Sequence, residues 1–343
     1  MKFKFRLYCS IFLTSLLLLY PLVSTVYASQ SKSEFLIANF KEDNKIISSV
    51  NITPLKEASG TKNNISFKDT KKYRTLLLKL GYANKELDAI GDKEIYNTLK
   101  NATKVTVIES YVKVSSDGKT NLIDKDTCFQ KVMKLNLQST STYATLASNN
   151  ASNIDDSTDG YMKIITQATY ISKGYYTLSG SFTRLTMPSS RMKDSISIAA
   201  PNCAWTSGTG DLYSSYYYNM FKHDGTARPE DTTQTYSGVG HVTVASTGIY
   251  AQYNLPDNYD MEQFISYGRV TDMSYYIRGK ARVSNYTMPT AFNVFSRYEH
   301  VWSSLGVQPS FSWTVEGISA NVDITLVNNH KLYSSYCYVN YRP

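Results

Sequence analysis

The spacing of apolar positions changes character along the chain. Between residues 67 and 103, Tyr73, Leu76, Leu77 and Leu80 recur at three- and four-residue intervals, as on one face of an α-helix. Asp69 is placed to cap this helix, and Gly81 supplies a left-handed stop. Asn84 can cap a short second helix carrying Leu87 and Ile90, which Gly91 ends. Asp92 opens a third, with Ile95 and Leu99 inward. Three successive units of cap, apolar stripe and glycine stop predict a compact three-helix unit. The period then falls to two. Lys104–Ile108 and Tyr111–Val114 read as strands, Asp117-Gly118 as a hairpin turn and Thr120–Ile123 as the return strand. Residues 125–138 fit either an amphipathic helix or a strand with Phe129, Met133, Leu135 and Leu137 on one face.

From Tyr161 onward, short alternating runs recur between Gly, Pro, Asn and Asp clusters. Tyr161–Ser172 predicts a strand, Lys173-Gly174 a turn and Tyr175–Leu185 the return strand; Met187-Pro188-Ser189-Ser190 reads as a loop, and Ser195–Ala199 as a further strand. Similar runs lie at Gln234–Ala245, Gly248–Leu255, Phe264–Val283, Thr290–Trp302, Ser310–Val315, Asn321–Val327 and Leu332–Asn340. About nine to eleven strands without helices between them exclude a parallel sheet, which needs helical crossovers. The predicted class is α+β, mainly β: a small helical and hairpin N-terminal unit followed by an antiparallel β-sandwich or jelly-roll-like domain.

Three segments lie outside these patterns. Residues 1–28 combine Lys2, Lys4 and Arg6, an apolar stretch from Ile11 to Val26 and a Val26-Tyr27-Ala28 end, the layout of a cleaved secretory signal. Residues 29–66 are polar and rich in Asn, Lys and Ser, and read as a mobile leader with one short strand around Ile46–Ile52. Residues 139–158 are almost all Ser, Thr, Asn, Ala and Asp and read as a linker. The expected organisation is therefore a signal (1–28), a leader (29–66), a small α/β unit (67–138), a linker (139–158) and a β-domain (159–343). The expected product is soluble and exported, with no transmembrane span once the signal is removed.

Composition narrows the function classes. Among 343 residues, Tyr occurs 29 times against 13 Phe and 3 Trp, and 21 of the Tyr lie between 161 and 343. Tyrosine suits a pleated, half-exposed surface, where the ring packs and the hydroxyl stays wet. The formal net charge is +8, and the excess sits early: residues 29–150 carry a net +6 and residues 151–343 a net −1. A mild, dispersed Lys excess argues against nucleic acid and allows loose attraction to an anionic envelope. After the signal, Cys128, Cys203 and Cys337 remain, an odd number with no close pair, which excludes a zinc knuckle. They read as buried small hydrophobes, with a Cys203–Cys337 disulfide left open by export.

Candidate chemistry is sparse. Ser190-Arg191-Met192-Lys193 matches SxxK, but follows Met-Pro in a β context and lacks the downstream motifs of serine acyl enzymes. Asp155–Gly160 resembles the start of a calcium loop, yet its twelfth position is Thr166 where a bidentate Glu belongs. His223, His241, His300 and His330 show no metal spacing; His223-Asp224 and Glu299-His300 can each supply half of an acid–base pair across the fold. No catalytic set, metal site or cofactor motif is assigned. The candidate ligand-binding residues are Tyr213, Tyr216, Tyr217 and Tyr218, which crowd six positions with two Ser and can stack on a sugar or peptide or simply pack across strands.

The runs YYTLSGSFTRLTMPSSRMKDSISIA (175–199) and LLKLGYANKELDAIGDKEI (77–95), with Tyr298-Glu299-His300 before a β-rich C-terminus, resemble segments of secreted proteins of Gram-positive, low-GC bacteria, a group with no established activity. The resemblance implies a bacterial origin and an export route, and no site residues. The expected function is a non-enzymatic extracellular protein that binds a cell-envelope glycan or another extracellular protein. Two alternatives stand beside it: a secreted hydrolase using a jelly-roll groove, and a pore-forming β-protein whose Phe264–Val283 segment supplies an amphipathic hairpin.

Overall fold

A computed structural model describes residues 35–42, 44–54, 67–115, 119–142, 160–187, 193–222, 234–240, 242–254, 259–261, 266–301, 311–316, 319–324 and 330–343. Among them a first hairpin pairs β1 (Ile37–Glu42) with β2 (Lys45–Asn51), and Asn44 takes the positive φ (63°) that its turn demands. Helices α1 (Phe67–Lys79), α2 (Asn84–Ile90) and α3 (Asp92–Leu99) follow. Gly81, at φ 101°, ends the first of them. Next come β3 (Lys104–Val114), β4 (Thr120–Ile123) and α4 (Lys125–Thr142). The remainder is strand: β5 (Gly160–Ser172), β6 (Tyr175–Arg184), β7 (Lys193–Ala199), β8 (Cys203–Trp205), β9 (Asp211–Lys222), β10 (Gln234–Gly240), β11 (Thr243–Val244), β12 (Gly248–Asn254), β13 (Tyr259–Met261), β14 (Ser266–Val283), β15 (Thr290–Val301), β16 (Phe311–Glu316), β17 (Ser319–Ile324) and β18 (His330–Tyr341). The class is α+β, mainly β, with a sandwich core.

The strands form an eleven-stranded sheet along the order β1-β2-β3-β5-β6-β14-β9-β10, with β4 on β3 and β8 and β13 on β14. A second sheet runs β11-β12-β7-β15-β18, and β16 pairs with β17. The large sheet is covered on both faces. Met162, Ile164 and Ala168 of β5, Leu178 and Phe182 of β6, and Met273, Tyr275 and Ile277 of β14 meet Ile196, Ile198, Val294, Tyr298, Tyr333 and Cys337 of the second sheet. The alternate residues point the other way. Val105, Val107, Ile165 and Tyr276 meet Tyr73, Leu76, Leu77, Leu80, Leu87, Ile95 and Leu99 of the helices. Three layers result: helices, large sheet, small sheet.

This arrangement corrects several expectations. The large sheet continues from one side of residues 139–158 to the other: β3 pairs with β5 along its whole length, from Lys104↔Tyr170 to Val114↔Gly160. The β-rich part of the N-terminal unit and the Tyr-rich region share one sheet. The short strand expected around Ile46–Ile52 is β2, which pairs with β3 and buries Val50 and Ile52 under the helices, and β1 adds a second strand to the expected leader. Residues 125–142 are helical, one of the two expected forms; Leu135 of the expected stripe packs against the buried Cys128 and Val132, while Phe129 and Met133 are exposed. Asp69 lies in the first turn of α1, where its charge favours the helix dipole, and Ala83 rather than Asn84 caps α2. In the Tyr-rich strands, Tyr275, Tyr298 and Tyr333 are fully buried rather than half-exposed. Residues 1–28, the Asp117-Gly118 turn and most of the expected linker lie outside the described residues.

Buried charge fastens the layers. Lys163 on β5 donates from Nζ to the Gly81 carbonyl (2.6 Å) and lies 3.1 Å from Glu86 Oε2 on α2. Glu86 also accepts from Ala83 N–H (2.6 Å), Ser181 Oγ (3.2 Å) and the Thr183 hydroxyl. Every oxygen of this desolvated carboxylate is thereby satisfied. On α3, Glu94 pairs with Arg278, which also donates to Thr98 Oγ1 (2.7 Å) and Asp211 Oδ2 (2.6 Å).

Candidate functional site

The Tyr cluster expected to bind ligand lies on β9, between β14 and β10. Tyr213 packs toward the helices: its hydroxyl donates to Glu94 Oε2 (3.2 Å) and its ring lies 6.0 Å from that of Tyr276. The side chains of Tyr216, Tyr217 and Tyr218 lie outside the described residues, as do those of Ser190, His223, His241 and His330 and the Asp155–Asp159 segment. Cys128, Cys203 and Cys337 are free thiols, each pushed up to about 12 by burial. β14, the segment considered for a membrane hairpin, is paired on both edges, with β6 and with β9. Among the described residues no helix is long and apolar enough to cross a membrane, and no three His, Cys, Asp or Glu side chains are grouped to hold a metal ion.

Two constellations stand out at opposite ends of β6. At its last residue, between the sheets, Arg184 donates to Tyr298 Oη from Nε (2.8 Å) and Nη2 (2.6 Å) and lies 3.5 Å from Asp194 Oδ2. Tyr298 in turn donates to Asp194 Oδ2. His300 Nδ1 lies 2.8 Å from Asp194 Oδ1, which requires the proton on Nδ1 for the carboxylate to accept it. Antiparallel pairing of β7 with β15 brings Asp194 and His300 together across sequence. Burial opposes the Arg184 charge, but Tyr298 and Asp194 outweigh it and hold the guanidinium above its ordinary pKa. Burial raises Tyr298 well above the usual phenol value, so its hydroxyl stays a donor. One residue along, Glu299 is pushed up to about 7 by burial, aided by the Asp194 charge and opposed by Arg297 and a hydrogen bond from Ser195. His300 thus meets an acid from across the fold, Asp194, as the sequence allows. An Asp–His pair can orient a proton transfer where substrate reaches the imidazole. Here Arg184, Asp194 and His300 are 5%, 1% and 0% exposed.

At the first residues of β6 the turn Lys173-Gly174 takes φ values of 49° and 77°, the two left-handed residues of a type I′ hairpin. A Cβ on Gly174 would stand 2.6 Å from Tyr286 Cβ, so only glycine admits that ring so close. Arg282, paired in register with Tyr175, lies between two rings: its Cζ is 4.7 Å from the Tyr175 centroid and 3.3 Å from the Tyr286 centroid. Its Nε donates to the Lys173 carbonyl (3.3 Å). Tyr341 Oη donates to the Tyr286 carbonyl (2.7 Å). Beneath, Tyr170, Tyr176, Tyr341 and Phe292 pack with centroids 5.1–6.3 Å apart. Tyr175 and Tyr286 keep 42% and 38% of their surface in solvent, and Met288 is also exposed. Tyrosine density drew attention to β9, whereas the exposed rings of Tyr175 and Tyr286 flank turns. The usable signal was an aromatic next to Lys-Gly and another within Asn285-Tyr286-Thr287-Met288-Pro289, where the chain must turn at the surface.

No protein-family model matches the chain, and no curated protein matches it. A solved structure described as AvmM, which catalyses macrocyclization in alchivemycin A biosynthesis, is similar over 49% of this chain and 82% of its own, at 8% identity and a TM-score of 0.20. A likeness of that depth carries no argument about activity.

Proposed function

We propose that this is an exported bacterial protein that acts by binding rather than by catalysis, presenting the hairpin end of its sandwich to a cell-envelope glycan or an extracellular protein. The Tyr175–Arg282–Tyr286 stack supports this reading. Its rings are exposed, braced by a packed aromatic layer, and contribute little to the core. Aromatic faces held rigid in solvent suit stacking on a partner at small entropic cost. Export is supported by the charged, apolar and small-residue layout of residues 1–28. The test is a pull-down on Gram-positive envelope material with the secreted chain. Replacing Tyr175 and Tyr286 together by Ala is expected to abolish capture while changing stability by about 1 kcal/mol or less. Undiminished capture would refute the reading.

One observation favours a hydrolase instead, the Asp194–His300 pair. Its carboxylate is already shared with Tyr298 and Arg184, and its imidazole is buried, so it serves the binding protein as an internal fastener. A hydrolytic activity against envelope polymers that disappears in His300→Gln while the fold persists would reverse the ranking.

A further inference from the structure

We infer that the hairpin end takes an anionic polysaccharide, with Arg282 receiving a carboxylate or phosphate and Tyr175 or Tyr286 stacking on the adjoining sugar ring. This rests on the reading that the hairpin end is the binding surface, and it specifies the ligand chemistry.

The first ground is the state of Arg282. Arg74 faces Asp88 and Asp92, Arg184 faces Asp194, and Arg278 faces Glu94 and Asp211. Arg282 is held by two rings and one carbonyl, and among the described residues its two terminal nitrogens carry no hydrogen bond or ion pair. A guanidinium so fixed presents its remaining donors in a planar fork that matches an oxyanion. The second ground is the charge around it. The segments that meet at this end, 170–176, 199–208, 244–250, 279–292 and 338–343, contain Lys173, Lys280, Arg282 and Arg342 and no Asp or Glu. Lys104 enters the same end opposite Tyr170. These residues belong to a region whose overall charge is slightly negative, yet the end holds four of its 14 cations and none of its 15 acids. The third ground is geometry. The two rings flank the cation, so one ligand can place an anionic substituent on Arg282 and an apolar sugar face on a ring. A neutral glycan would leave the cation without a counter-charge.

The experiment uses the secreted chain and four immobilised polymers: polygalacturonate, its methyl ester, phosphomannan and unphosphorylated mannan. At least one anionic polymer is expected to bind about tenfold or more tightly than its neutral counterpart, as a charge-assisted contact commonly provides. Which of the two does so distinguishes a carboxylate from a phosphate. Arg282→Gln is expected to remove most of that preference, and Arg282→Lys to restore only part of it, since a lysine keeps the charge without the stacked fork. Lys131→Gln, the same charge change on exposed α4, is expected to leave the preference intact. Equal binding of charged and neutral polymers, or equal losses in Arg282→Gln and Lys131→Gln, would overturn the inference. So would envelope capture that is abolished by protease treatment of the envelope, which would assign a protein partner. If capture still depends on Tyr175 and Tyr286 in any of these cases, the binding reading survives and only the ligand class fails. If capture ignores both tyrosines, the binding reading itself fails.

Discussion

Two arginine–tyrosine clusters occupy the two ends of β6, and water makes them different objects. Arg184 lies 4.8 Å from the Tyr298 centroid and 5.9 Å from that of Tyr333; Arg282 lies 4.7 Å from the Tyr175 centroid and 3.3 Å from that of Tyr286. Inside the sandwich the guanidinium has lost its hydration, so the fold supplies a carboxylate, a phenol and, through Asp194, an imidazole. At the hairpin end hydration remains, and among the described residues the same kind of cation has no carboxylate partner. The buried cluster spends its donors on holding two sheets in register. The exposed one keeps its donors for something else.

The largest expected effect falls on the inner cluster. Asp194→Ala leaves Arg184 buried without its counter-charge and should lower unfolding free energy by about 3–5 kcal/mol, read from denaturant midpoints. Should Arg282→Ala cost as much, the contrast would collapse.

Next comes Glu299. Its carboxyl holds its proton up to about pH 7 in the fold, against an ordinary value of 4.5. The native state therefore binds more protons than the unfolded chain between those limits. Its contribution is fully present below about pH 4.5 and is lost as pH rises toward 7, a change on the order of 3 kcal/mol. Glu299→Gln should flatten this part of the stability profile and raise stability at pH 8.

Tyr298→Phe removes one donor to Asp194 and one acceptor for Arg184, with a loss of about 1–3 kcal/mol. Gly174→Ala combines a positive φ with a clash against Tyr286 and should cost about 1–2 kcal/mol and weaken capture. Tyr286→Phe should move stability by about 0.5 kcal/mol or less, because its hydroxyl is not what packs. Calorimetric melts of the three variants separate these magnitudes.

Much of the architecture was legible before the tertiary structure. The stripes at Tyr73–Leu80 and Ile95–Leu99, the glycine stop at Gly81, and the Lys173-Gly174 hairpin are local devices, and local sterics and periodicity suffice to read them. The β-rich class followed from alternation in the same way. On α4 the expected stripe divides: Leu135 packs with Cys128 and Val132 against Tyr111 and Tyr161, whereas Met133 is exposed and Phe129 keeps an edge contact with Tyr111 while 39% exposed. Hydrophobicity ranks residues, but only packing chooses the face.

What the sequence determined alone was therefore the kind and order of elements, the turns, and a charge distribution weighted toward the N-terminal part. Tertiary structure decided which polar faces are dry. Ser181 and Thr183 on β6, with Lys163 on β5, alternate with Phe182, Met162 and Ile164 as on a wet surface, yet the helices cover them and Glu86 ties them down. It likewise decided that Asp194, distant in sequence, meets Tyr298 and His300, and that Arg282 meets two rings and a carbonyl. Strand alternation assigns a residue to one of two faces. What covers that face depends on pairings across a hundred residues or more, and those depend on the whole chain burying its apolar surface at once.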